Sequence, residues 1–108
     1  MAAHHALIVD DEPGTVELVS TLLEAEGYHV QKAYGGEEGV DLAITGDPDL
    51  IILDLMMPKV DGFEVVEKLR QHSRLKDVPI IISTAGDLTE KDIEQLQGKV
   101  NSITQKGH

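Results

Sequence analysis

A chain of 108 residues is long enough for one domain and too short for two. Hydrophobic residues make up 41%, which supports a buried core and excludes a disordered chain. No apolar run nears the roughly 20 residues that cross a bilayer. Nine Lys and Arg against 20 Asp and Glu give a net charge of −11, so the surface repels nucleic-acid phosphates and anionic membranes. The chain has no cysteine, hence no disulfide and no thiolate metal site. Its start, Met1-Ala2-Ala3-His4-His5, lacks the basic-then-apolar pattern of a secretory leader. Both features fit a cytoplasmic protein.

Ala6-Leu7-Ile8-Val9 is a short apolar run ending in Asp10-Asp11 and predicts a buried strand. Pro13 opens a helix, where its missing N–H costs nothing. Val16, Val19, Leu22 and Leu23 recur at helical spacing, and Gly27 supplies the stop. Tyr28 to Ala33 reads as a second strand. Glu37 to Thr45 reads as a weaker helix with Val40 and Ile44 on one face, made weaker by Gly36 and Gly39.

After the Gly46-Asp47-Pro48 turn, Leu50-Ile51-Ile52-Leu53 is wholly apolar and again ends in an aspartate, Asp54. Leu55 to Val60 contains Pro58 and predicts a loop. Asp61 can N-cap a helix in which Phe63, Val66 and Leu69 share a face. Pro79 to Ile82 predicts a fourth strand ending at Ser83-Thr84. Asp87 to Gln97 predicts a helix with Ile93 and Leu96 inward, ended by Gly98. Val100 to Thr104 predicts a last strand, followed by Lys106. Strands that are apolar throughout are buried on both faces, so this alternation calls for an α/β parallel sheet covered by helices.

In such a sheet the functional crevice lies beyond the carboxyl ends of the strands. Asp10-Asp11, Asp54, Thr84 and Lys106 stand there, on four different strands. Three carboxylates meeting at one edge repel each other, and a hard divalent cation such as Mg²⁺ resolves the conflict. A carboxylate beside that ion can act as a nucleophile toward a phosphoryl group. A lysine and a threonine hydroxyl can hold the phosphoryl oxygens.

Val9-Asp10-Asp11-Glu12, Leu53 to Gly62, Ile82-Ser83-Thr84-Ala85 and Gln105-Lys106-Gly107 closely resemble the motifs of response-regulator receiver domains of two-component signalling, along essentially the whole chain. The resemblance implies a flavodoxin-like, doubly wound five-stranded parallel sheet of order 2-1-3-4-5 with helices on both faces. It implies a phosphorelay function: Asp54 as phosphoacceptor, Thr84 as switch hydroxyl and Lys106 as the cation paired with the phosphoryl group. Asp10, Asp11, Asp54 and the backbone carbonyl of Met56 would hold Mg²⁺, with Mn²⁺ as alternative. Pro58 and Gly62 would shape the loop after the acceptor. The implied partners are a sensor histidine kinase or phosphotransfer protein, and an output domain or protein. Neither nucleic-acid contact by this domain, nor a membrane, nor turnover of an external substrate is implied.

Two departures stand out. Receivers often carry Tyr or Phe three residues before the lysine, where this chain has Ile103. Lys106-Gly107-His108 ends the chain where a fifth helix is usual, an ending that resembles receivers of hybrid kinases. The last helix is therefore expected to be missing, with one sheet face partly uncovered. Residues 1–108 then read as a single receiver domain, truncated or part of a longer protein, or one that exchanges elements with a partner as a homodimer.

Simpler readings exist for each residue. Asp10-Asp11 could cap the helix at Pro13, Asp54 could be a turn residue, and Lys106 a solvated charge. His4 and His5, adjacent on a strand, point to opposite faces and read as surface residues. His29, His72 and His108 have no partner visible in the sequence.

Overall fold

The computed structural model describes residues 4–57, 60–85 and 88–105. Its elements run β1 (His4–Val9), α1 (Pro13–Ala25), β2 (Tyr28–Ala33), α2 (Gly36–Gly46), β3 (Leu50–Asp54), α3 (Gly62–Gln71), β4 (Ile80–Thr84), α4 (Glu90–Leu96) and β5 (Ser102–Gln105). The five strands form one parallel sheet of order β2-β1-β3-β4-β5, the expected doubly wound order.

Alternation along the strands sorts the two faces. Leu7, Val9, Ile51, Leu53, Ile80 and Ile82 point one way. They pack with Ala43 of α2, Val65, Val66 and Leu69 of α3 and Leu96 of α4 in one buried cluster. Ala6 and Ile8 point the other way and are buried along with Val16 of α1. Burying about a dozen large aliphatic side chains, each worth roughly 1.5–3 kcal/mol, is the main stabilising contribution.

Two glycines that weaken α2 as a helix turn out to be its contact points. A Cβ on Gly39 would lie 2.7 Å from both methyl groups of Val9, and one on Gly36 would lie 2.6 Å from a Val60 methyl. The helix approaches β1 at Gly39, and Val60 ahead of α3 at Gly36, only because those positions are bare.

The structure corrects several expectations. In α1, Val16 is buried but Leu22 is 60% exposed, as is Leu18 at 63%. The helix packs over β1 and β2, so its apolar stripe runs past the ground it covers. Ile52 and Ile81, on the same sheet face, are only half-buried. In α4, Leu96 is buried while Ile93 is 44% exposed. That helix starts at Glu90, because Thr89 and Asp92 form a reciprocal capping box. The expected start at Asp87 lies outside the described residues. Strand β5 begins at Ser102 because Val100 still donates to Leu96 O, closing the helix. Strand β4 begins at Ile80, and the carbonyl of Pro79 accepts from Ile51 N.

Arg70, at the end of α3, ties this region together. Its Nε donates to Lys99 O at 2.7 Å, and its Nη1 donates to Leu75 O, Lys76 O and Val78 O at 2.8, 3.2 and 2.6 Å. Burial pulls its pKa down from the usual range, and Asp77 opposes that shift. Arg70→Ala is expected to cost about 2–3 kcal/mol of unfolding free energy in urea melts. Arg70→Lys should recover little, because one ammonium cannot span the fork.

Candidate metal and phosphoryl site

Each site residue is placed by the end of a strand. Asp10 follows β1, and its N–H donates to Ala33 O at the end of β2. Its Oδ1 accepts from Glu12 N at 2.9 Å, which turns the chain toward α1. The N-cap of α1 is Glu12, with no side-chain capping bond. Neither Asp10 nor Asp11 is therefore spent as the cap of that helix. Asp54 ends β3, and its Oδ1 accepts from Met56 N at 3.1 Å. The turn fixes the carboxylate at the rim of the sheet.

Asp10, Asp11 and Asp54 each offer a carboxylate oxygen within 4.8 Å of the others. Asp10 is 3% exposed and Asp54 5%, while Asp11 faces solvent. Negative charges that close, two of them buried, repel one another, and burial strengthens the effect by lowering the local dielectric. The donor set is all hard oxygen, the chemistry that suits Mg²⁺ or Mn²⁺ and not a soft ion.

Thr84 ends β4 fully buried. Its strand pairs with β3 through Asp54↔Ser83, so Thr84 lies one residue beyond the level of the acceptor. Gln105 pairs with Thr84 at the end of β5. Lys106 follows it and lies outside the described residues, as do Pro58 and Gly86. Met56 is 46% exposed, while Met57 is buried. Ile103, at the position that often carries an aromatic residue, pairs with Ile82 and is 36% exposed.

The loop after Asp54 is held from below. A Cβ on Gly62 would lie 2.6 Å from Leu55 O and 2.8 Å from Leu55 Cα. The first turn of α3 therefore presses on the backbone next to the acceptor. Asp61 Oδ1 caps that turn by accepting from Phe63 N at 2.9 Å, as its sequence position predicts.

Residues 6–107 match the family model described as the response regulator receiver domain, and the chain belongs to that family. It is thus a phospho-accepting signalling domain of two-component systems. Among curated relatives it is similar to the DNA-binding dual master transcriptional regulator RpaA of Synechocystis, 50% identical over 86 residues. These are 79% of this chain and 36% of that protein. It is also similar to the alkaline phosphatase synthesis transcriptional regulatory protein PhoP of Bacillus subtilis, 48% identical over 75% of this chain and 33% of the relative. The chain spans about a third of the length of these regulators. Among solved structures, the chemotaxis protein CheY4 of Vibrio cholerae matches with a TM-score of 0.90 at 30% identity. The match covers 99% of this chain and 89% of that one. The response regulator TrrA of Thermotoga maritima, solved in complex with Mg(2+)-BeF, matches with a TM-score of 0.84 at 35% identity over 96% and 87%. No helix among the described residues is long and apolar enough to cross a membrane.

Proposed function

We propose that Asp54 accepts the phosphoryl group, and that Asp10, Asp11, Asp54 and the backbone carbonyl of Met56 hold a Mg²⁺ ion, with Mn²⁺ the alternative. The observation that carries this reading is the convergence of three carboxylates within 4.8 Å at the ends of two adjacent strands. Bound there, the ion would neutralise the cluster and the charge on the phosphoryl oxygens.

In the proposed reaction, a carboxylate oxygen of Asp54 attacks phosphorus in a phosphohistidine of a sensor kinase or phosphotransfer protein. The new O–P bond forms as the N–P bond breaks, and the released imidazole leaves neutral once protonated. The bond from Met56 N holds the Asp54 carboxylate in place at the rim of the sheet. Thr84 is the switch hydroxyl that turns to donate to a phosphoryl oxygen, and Lys106 pairs with another. Moving Thr84 shifts the chain between β4 and α4 and biases the domain toward a second state. The output surface is α4 with β5, read by an attached domain or a protein partner.

The chain acts as a cytoplasmic switch and turns over no external substrate. We take residues 1–108 as one receiver unit. In a regulator built like its threefold longer relatives, a separate domain would meet DNA, since this one carries a charge of −11. The half-covered face carrying Ile52 and Ile81, together with exposed Leu18 and Leu22 on α1, supports self-association of the isolated chain. Light scattering is expected to give a mass above the monomer.

The test is phosphoryl uptake from acetyl phosphate, read by intact mass. One phosphoryl group per chain is expected with Mg²⁺ and none with a chelator. Uptake that survives in Asp54→Asn would place the acceptor elsewhere, and no uptake by the native chain would end the proposal.

A further inference from the structure

The opposite end of the sheet holds a second group of metal-ligating side chains. In the sequence His5 and His29 stand 24 positions apart and have no visible relation. The order β2-β1 brings them together, because His5 pairs directly with His29 in the parallel register. Directly paired residues in adjacent strands project from the same face. Their rings lie 5.6 Å apart between centroids and 29° from parallel. His4 projects from the other face, where its ring lies 5.9 Å from that of Tyr28.

The surroundings favour a cation. Asp49 is fixed at this edge twice: its Oδ2 accepts from His5 N at 2.9 Å, and its own N–H donates to His5 O at 2.7 Å. Helix α2 ends nearby at Gly46, where a Cβ would meet the Gln31 side-chain amide. Gln31 shares the strand face of His29, two residues away. The carboxyl end of α2 thus brings its partial negative charge and Asp47 to this side of the sheet.

We infer that His5 and His29 form a two-imidazole site for a borderline divalent cation of the Zn²⁺, Ni²⁺ or Cu²⁺ class. Imidazole nitrogen suits these ions and is a poor ligand for Mg²⁺. The sheet therefore carries two metal preferences at its two ends: hard oxygen at the carboxyl end, nitrogen at the amino end. Both imidazoles are exposed. Rotation about χ1 and χ2 turns one nitrogen of each toward a shared ion at about 2.0–2.1 Å. Water completes the shell, and Asp49, whose carboxylate lies 4.0 Å from His4 Nδ1, adds negative charge at the same edge of the sheet. An ion held this way staples β1 to β2, the edge strand.

The experiment titrates the chain with Zn²⁺ in excess Mg²⁺, which occupies the carboxylate cluster, and follows the histidine ring resonances. Expected is one saturable event that shifts the rings of His5 and His29 and spares His72, with a rise in melting temperature. His29→Gln is expected to weaken it by more than about tenfold and remove the thermal gain, since half the protein ligands are gone, and His4→Gln to leave both unchanged. Equal affinity in the His29→Gln chain, a uniform shift of every histidine, or shifts confined to the residues around Asp54 would each overturn the inference. Because both histidines are exposed, the variants keep the fold, and amide spectra check that directly.

Discussion

Asp54→Asn is expected to end phosphoryl uptake and, in metal-free buffer, to make the domain more stable. Both effects come from one carboxylate. Asp54 lies within 4.8 Å of the carboxylates of Asp10 and Asp11, and two of the three are buried. A neutral amide keeps the hydrogen bond from Met56 N, because its oxygen also accepts, though more weakly than a carboxylate. It removes one of the mutually repelling charges, worth about 1–3 kcal/mol for partly buried groups at this spacing. Native protein should therefore melt below Asp54→Asn without metal. Adding Mg²⁺ should stabilise the native chain by about 2.7 kcal/mol at a hundred times its dissociation constant and raise the variant far less. Calorimetry with and without Mg²⁺ checks both signs. A variant less stable than the native chain in metal-free buffer would mean that the cluster is not repulsive as built.

Gly62→Ala carries the second large effect. The added methyl would meet Leu55 O at 2.6 Å and Leu55 Cα at 2.8 Å. Both are backbone atoms and cannot swing aside, so the start of α3 or the residue after Asp54 must move. Overpacking of this kind costs about 1–3 kcal/mol, although alanine is the better helix former. Phosphoryl uptake should slow as well, because the displaced residue adjoins the acceptor. Gly14→Ala is the control. A Cβ there meets nothing within 4 Å in α1, so that change should be neutral or stabilising by up to about 1 kcal/mol. Urea melts of the two variants, beside uptake rates from acetyl phosphate, separate the contact from the propensity.

These two predictions differ in how much of their basis is visible in the sequence. Three of the strands, β1, β3 and β4, are legible because their apolar runs end abruptly in polar residues, and buried parallel strands leave that mark. Asp10, Asp11, Asp54 and Thr84 are legible for the same reason, since each stands where a run stops. What the pattern could not carry was contact between elements. Gly36 and Gly39 look like defects in a helix until Val60 and Val9 are seen against them. Leu22 and Ile93 look like core residues because apolar periodicity marks a stripe, not the extent of what covers it. The start of α4 was missed because Thr89 and Asp92 cap each other, a local bond that outweighs the apolar spacing. The pairing of His5 with His29 required strand order and register, and neither is encoded within one segment.

The link between the acidic cluster and the switch is the central claim, and one spectrum tests it most directly. Amide NMR would be recorded on the chain with Mg²⁺ and beryllofluoride, which stands in for a phosphoryl group on a carboxylate. Shifts at Asp54, Thr84 and α4 that need both additions and vanish in Asp54→Asn are the predicted result. Shifts that Mg²⁺ alone produces in full, or that persist in the variant, would contradict it.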